Sequence, residues 1–205
     1  GSTTNINTAF NGLAYRGTSG FNGADLLTAT LNDLGNTGVG GGGNISMNVT
    51  LNVSAINNAP TITVPGAQNA DENVNFPFSA TDGNAIVIED IDSDEAPGDL
   101  VVTLSVSSGV LTLADTAALT TFTGNGTASI SMTGVLSAIN AALDGLIYRG
   151  NLDFNGTDTL NITANDQGNT GSGPVGTDSD TISIVIGAVN NPPVLTVPGT
   201  QTISE

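Results

Sequence analysis

The sequence predicts an all-β chain of antiparallel β-sandwiches in tandem, with one short helix per repeat. Three observations carry this prediction. Glycine occurs 27 times in 205 residues, which implies many turns and argues against a helical protein. Apolar and polar residues alternate with period two over several short stretches, the pattern of half-buried strands. The chain also repeats itself, and the repeat sets the domain organisation.

"NGLAYRGTSGFNGADLLTATLNDLGNTG" from Asn11 returns as "DGLIYRGNLDFNGTDTLNITANDQGNTG" from Asp144. Tyr15 matches Tyr148, Phe21 matches Phe154 and Asp33 matches Asp166, all 133 residues apart. The register runs without a gap into "NNAPTITVPGAQ" and "NNPPVLTVPGTQ", where Glu72 matches Glu205. Roughly half of the aligned pairs are identical, more than shared composition produces. Residues 1–58 are therefore expected to be the C-terminal half of a preceding β-sandwich repeat. Residues 59–190 make a complete repeat, and 191–205 the linker and first strand of the next.

Along the unit, "NISMNVTLNVSA" places Ile45, Met47, Val49, Leu51 and Val53 on one strand face. Its counterpart "DTISIVIGAV" turns Ile182, Ile184 and Ile186 inward. Further strands are expected at 61–64, 75–80, 84–89, 100–106, 109–113, 127–132, 146–149 and 158–164, separated by Gly, Asn and Asp turns. "TGVLSAINAALDG" is the exception. Its apolar spacing predicts a short helix with Thr133 as N-cap and Gly145 as the stop. Many short strands in a unit of this size imply an Ig-like sandwich. Prolines in "NNAP" and "NNPP" stiffen the joints between units.

The charge is one-sided. Nineteen acidic residues face two basic ones, a net charge of -17. Nothing could neutralise phosphates, so nucleic acid is excluded as a partner, and no apolar run is long enough for membrane insertion. Absence of Cys and His removes disulfides, thiolate sites and His-based catalysis, so an enzyme is not expected. Clustered carboxylates repel one another unless a counter-ion is present, and the usual one is Ca²⁺. The densest cluster is "IEDIDSDEAPGD", with six acids between Ile88 and Asp99. It is not an EF-hand loop: Glu95 stands where the turn Gly belongs, and Val101 where the bidentate Glu belongs. "GVGGGG" at 38–43 precedes a strand, not a helix, and so is a hairpin loop and not a phosphate cradle.

The wording of "NNPPVLTVPGTQ", "LSAINAALDGLIYRG" and "FNGTDTLNITANDQGNTGSG" resembles the cadherin-like tandem repeats of large bacterial surface proteins. The resemblance implies Ca²⁺ at the junction between successive domains. On its motifs, Asn57 and Asn58 before Pro60, and Asn190 and Asn191 before Pro193, take the linker positions. Asp90 and Asp92 take the Asp-x-Asp pair, Asp166 and its repeat-mate Asp33 the Asp of Ala-x-Asp-x-Gly, and Glu72 and Glu205 the early acid. Asp90, Asp92 and Asp166 are then expected beside Asn57 and Asn58, and Glu72 at the far end with Asn190 and Asn191. Asp94, Glu95 and Asp99 are left as the solvated part of the loop. Asp25 and Asp158 are expected to cap turns, and Tyr15, Tyr148, Phe21 and Phe154 to pack in cores.

The function so implied is a non-enzymatic, calcium-stabilised extracellular repeat, a rigid extension of a secreted bacterial adhesin or matrix protein. Its partners are neighbouring repeats and a cell-surface or polysaccharide ligand. The alternative is the unit of a self-assembling fibre, with strand exchange between like chains.

Overall fold

A computed structural model of the chain describes residues 2–35, 39–93, 98–168, 171–203 and 205. The chain opens with α1 (Thr3–Phe10), whose N-cap Ser2 accepts from the backbone N–H of Asn5 at 3.3 Å. Strands β1 (Gly23–Asn32) and β2 (Asn44–Val53) follow as an antiparallel pair. The remainder runs β3 (Thr61–Thr63), β4 (Gln68–Asp71), β5 (Phe76–Phe78), β6 (Val87–Glu89), β7 (Asp99–Ser105), β8 (Gly109–Thr112), β9 (Thr121–Thr123) and β10 (Ser129–Val135). Then come α2 (Leu136–Leu143), β11 (Leu146–Gly150), β12 (Gly156–Asn165) and β13 (Thr177–Gly187).

From β3 onward the strands form a six-stranded sheet of order β4-β13-β12-β7-β10-β9, a three-stranded sheet β5-β11-β8 and the pair β3-β6. The large sheet presents one alternating face: Leu100, Val102 and Leu104 on β7, Leu160, Ile162 and Ala164 on β12, and Ile182, Ile184 and Ile186 on β13, all buried. Phe78, Leu111, Leu146 and Tyr148 from the smaller sheet join the same cluster, with Ile62 and Ile88 from the β3-β6 pair. Period-two alternation thus becomes one core, because each strand hides every second side chain from water. This is the all-β sandwich that the sequence predicts.

Helix α2 fills the core with Ala138, Ile139, Ala142 and Leu143. Thr133 is not its N-cap. That residue lies in β10, paired with Val101 and Thr121, so its backbone is committed to the ladder, and the helix springs from Val135 without a side-chain cap. Gly145 does end it, at φ 96°, donating its N–H to Phe78 O at 2.7 Å. Asn140, midway along, clasps β6: Ile88 N–H donates to its Oδ1 at 2.9 Å, and its Nδ2 donates to Ile88 O at 2.8 Å.

Three other expectations need correction. The sandwich is not wholly antiparallel, since β4 runs parallel to β13. The strand expected at 84–89 starts only at Val87, because Asn84 folds back to close a turn, donating its N–H to Ser79 O at 3.1 Å and accepting from Ser79 N–H at 2.9 Å. The core positions expected in residues 1–58 are exposed. Leu27 is 39% exposed while its repeat-mate Leu160 is 0%, Val49 is 53% exposed against 1% for Ile182, and Tyr15 and Phe21 are likewise exposed. Three elements nevertheless recur in register, α1 with α2, β1 with β12, and β2 with β13, whereas the repeat-mates of β11, residues 13–17, form no strand. Local sequence builds these three elements twice, but only β12 and β13 have β4 and β7 along their edges.

Candidate metal centre

The linker before the complete unit is held, not free. Ser172 donates its N–H to Ala55 O at 3.0 Å, and Asn57 donates its N–H to Ser172 O at 3.1 Å. The Asn57 side chain adds a bond from Nδ2 to Pro174 O at 2.9 Å. Gly171 sits at φ 67°, and a Cβ there would lie 2.7 Å from Ala55 C. Close approach of two backbones is what glycine allows, so the 171–174 loop serves as a clamp on the linker. The Gly-Ser-Gly-Pro run at 171–174 is the sequence signal of this clamp.

Asp166 stands at the centre. Just past β12, it accepts from the backbone N–H groups of Gly168 and Gly176, each at 2.8 Å on Oδ1, and from Asn57 Nδ2 at 2.7 Å on Oδ2. The carboxylate thereby closes the β12–β13 connection and ties it to the linker. Its repeat-mate Asp33 makes the same closure, accepting from Gly35 N–H at 3.0 Å and Gly43 N–H at 2.7 Å. Those two amides hold the Asp33 carboxyl below the usual carboxylate range, as hydrogen bonds to the charged form do.

Asp90 and Asp92 arrive from the turn after β6. Asp92 is buried and accepts from Asn58 N–H at 2.5 Å on Oδ2. Its own N–H donates to Asp90 Oδ1 at 2.9 Å, which fixes the Asp-x-Asp geometry. Burial, followed by the charges of Asp92 and Asp166, raises the Asp90 pKa above its usual range, against the lowering effect of the Asp92 amide. Hydrogen bonds thus tie Asp92 to the backbone of Asn58 and Asp166 to the side chain of Asn57, with Asp90 bonded to Asp92. Among the described residues no three acidic side chains are placed to hold an ion by themselves. Further oxygens would have to come from the linker, whose Asn57 side chain now turns its nitrogen to Asp166.

At the other end, Glu72 is buried, accepting from Val189 N–H at 2.9 Å and Asn155 Nδ2 at 3.4 Å. Beside it Asn73 and Asp153 bond reciprocally at 3.1 Å. Asn190 and Asn191 follow Val189 directly and are exposed, as is Glu205, in a segment without strand or helix. Asp33 is likewise exposed. Asp94 and Glu95 lie outside the described residues.

Asp158 caps a turn, as expected, but a distant one. It is buried, accepting from Ser107 N–H at 3.0 Å, Ser108 N–H at 2.9 Å and the Tyr148 hydroxyl at 3.0 Å. It caps the β7–β8 turn, fifty residues away. Asp178, not singled out in the sequence, accepts from Ile62 N–H at 2.7 Å and anchors β3.

Comparison with known proteins gives two likenesses. Residues 88–173, less than half of the chain, match the model of the Protein GAMETE EXPRESSED 2 domain. The crystal structure of mouse cadherin-23 EC22-24 is similar at a TM-score of 0.38 and 15% identity, over 82% of this chain and 43% of that one. The chain thus spans less than half the length of that structure. No curated protein matches the sequence.

Proposed function

We propose that the chain is a non-enzymatic structural repeat of an extracellular bacterial adhesin or matrix protein, in which Ca²⁺ at the linker makes successive β-sandwiches into a stiff extension. The supporting observation is the bonding of Asp92 to Asn58 and of Asp166 to Asn57, with Asp90 raised by burial and by its acidic neighbours. A divalent cation there would relieve that repulsion and tie the preceding segment, the linker and the unit together. In this reading residues 59–190 are the repeat, Asp90, Asp92, Asp166, Asn57 and Asn58 hold the ion at one end, and Glu72 with Asn190 and Asn191 the ion at the other. Asp33 and Glu205 are the matching positions of neighbouring repeats.

Affinity of order 10⁻⁴ to 10⁻³ M is typical of extracellular modules. It would keep such sites filled outside a cell and empty inside one. A cell-surface or polysaccharide ligand would then be carried by other parts of the parent protein. Melting and small-angle scattering in Ca²⁺ and in EDTA test the proposal: Ca²⁺ should raise the melting temperature and lengthen the particle, and identical curves would refute it.

A further inference from the structure

Asn-Gly occurs four times in the chain, at Asn11, Asn22, Asn125 and Asn155. Asn22 and Asn155 are repeat-mates, and their surroundings take one form in both copies. Each asparagine is exposed and outside any strand, and the glycine after it opens the next strand at positive φ, 111° at Gly23 and 136° at Gly156. Each copy also shows what the other lacks. Around Asn155 its own unit is complete, and Nδ2 donates to Oε2 of the buried Glu72 at 3.4 Å. Around Asn22 the following unit is in place, and the residue lines one cleft with Asn58 and Asp92. Asn125 is different. Its Oδ1 accepts from Leu113 N–H at 2.9 Å, and Gly126 N–H donates to Leu111 O at 2.8 Å, so both ends of the step are tied.

We propose that Asn22 and Asn155 are sites of spontaneous deamidation, by which the chain acquires a carboxylate at each end of the complete unit. The backbone nitrogen of the glycine attacks Cγ of the asparagine, the new C–N bond closes a succinimide ring, and the side-chain nitrogen leaves as ammonia with the glycine's proton. Water then opens the ring at either carbonyl, leaving aspartate or isoaspartate. One water enters, one ammonia departs, and nothing is oxidised or reduced. Glycine favours the step because no Cβ crowds the ring, and the strand-end position favours it because ladder ends fray most readily. At 155 the product turns a donor to Glu72 into a second carboxylate against it, and like charges at that range repel. At 22 it adds a negative charge to the cleft that Asp92 lines. Without a cation the modified chain is therefore less stable than the fresh one. With Ca²⁺ its gain is larger, a consequence that rests on the calcium reading above.

Ageing of the chain in EDTA at mildly alkaline pH, in ordinary and in heavy-oxygen water, followed by peptide mass spectrometry, tests the proposal. Amide-to-acid conversion with uptake of the label should occur at Asn22 and Asn155 at least about tenfold faster than at Asn125, where two hydrogen bonds must open first. It should quicken with pH, since the glycine nitrogen attacks once deprotonated. Asn155→Gln, which keeps an amide and would need a larger ring, should no longer convert at 155 while Asn22 still does. In EDTA an Asn155→Asp variant should melt below the parent, and Asn155→Gln close to it. Intact amides at 22 and 155 after a synthetic peptide of residues 151–158 has fully converted, or conversion at Asn125 as fast as theirs, would overturn the proposal. So would an Asn155→Asp chain that melts with the parent in EDTA. Conversion at both sites with the same Ca²⁺ gain in Asn155→Asp as in the parent would count against the calcium reading alone.

Discussion

The hydroxyl of Tyr148 donates to Asp158 Oδ2 at 3.0 Å inside the core, and the same pair recurs in residues 1–58 as Tyr15 and Asp25 at 2.8 Å, exposed. In the buried copy the carboxylate also takes two amides of the β7–β8 turn. Removing it leaves the two half-buried turn amides and the buried Tyr148 hydroxyl without their acceptor. Asp158→Ala should therefore lower unfolding free energy by about 3–5 kcal/mol, Tyr148→Phe by about 1 kcal/mol, and Asp25→Ala by a few tenths at most. Urea denaturation distinguishes these values.

Both tyrosines have raised pKa values, Tyr148 chiefly by burial and then by the Asp158 charge, Tyr15 chiefly by its bond to Asp25. A raised pKa in the folded state gives stability that is complete below the unfolded value and lost as pH climbs through the folded one. In an alkaline absorbance titration the exposed Tyr15 should ionise first. The Tyr148 signal should appear only with unfolding, and a single transition for both would contradict the buried pair.

At the linker, the raised Asp90 pKa gives the same sign. Without Ca²⁺, its contribution to stability is complete below the ordinary carboxylate range and falls as pH rises through the shifted value. Asp90→Asn should therefore be neutral or stabilising in EDTA at neutral pH and destabilising in Ca²⁺. At a Ca²⁺ concentration of about 100 times Kd the parent should gain about 2.7 kcal/mol, or roughly 5–10 °C in Tm. An Asp90→Asn/Asp92→Asn chain with the full gain would remove these residues from the site.

Gly176 and Gly43 occupy one position of the repeat. A Cβ on Gly176 would overlap Asp166 and lie 2.5 Å from Ala59 Cα, whereas at Gly43 the nearest contact is 3.8 Å, to Asp33 Oδ2. Gly176→Ala should cost about 1–3 kcal/mol and blunt the Ca²⁺ response, since it displaces the linker. Gly43→Ala should change little. Calorimetry of the two variants in Ca²⁺ and EDTA provides the comparison.

Asn140 and Asn7 form a third contrasting pair. Asn140 satisfies both backbone groups of the buried Ile88, while Asn7 lies exposed on α1. Asn140→Ala should cost about 2–4 kcal/mol, from two backbone groups left unpaired, and Asn7→Ala should fall within ±0.5 kcal/mol. Hydrogen exchange at Ile88 should accelerate in the first variant only.

The sequence by itself determined the strand faces, the short helix and the two-copy register. These follow from local periodicity and turn residues, which act over a few neighbours and so repeat wherever the words repeat. The resemblance of short motifs singles out Asp90, Asp92 and Asp166 with Asn57 and Asn58, and the fold bonds Asp92 to Asn58 and Asp166 to Asn57. Tertiary structure decided the rest. Leu27 and Leu160 share a local sequence, yet one is exposed and the other buried, because burial depends on which strands lie across the sheet and not on the strand itself. Thr133 lost its cap role to the β10 ladder. The backbone amides that Asp158, Asp178 and Asn140 accept from in the β7–β8 turn, β3 and β6 stand 50 to 116 residues away, and hydrogen bonds between such distant groups leave no periodic trace for a sequence to show.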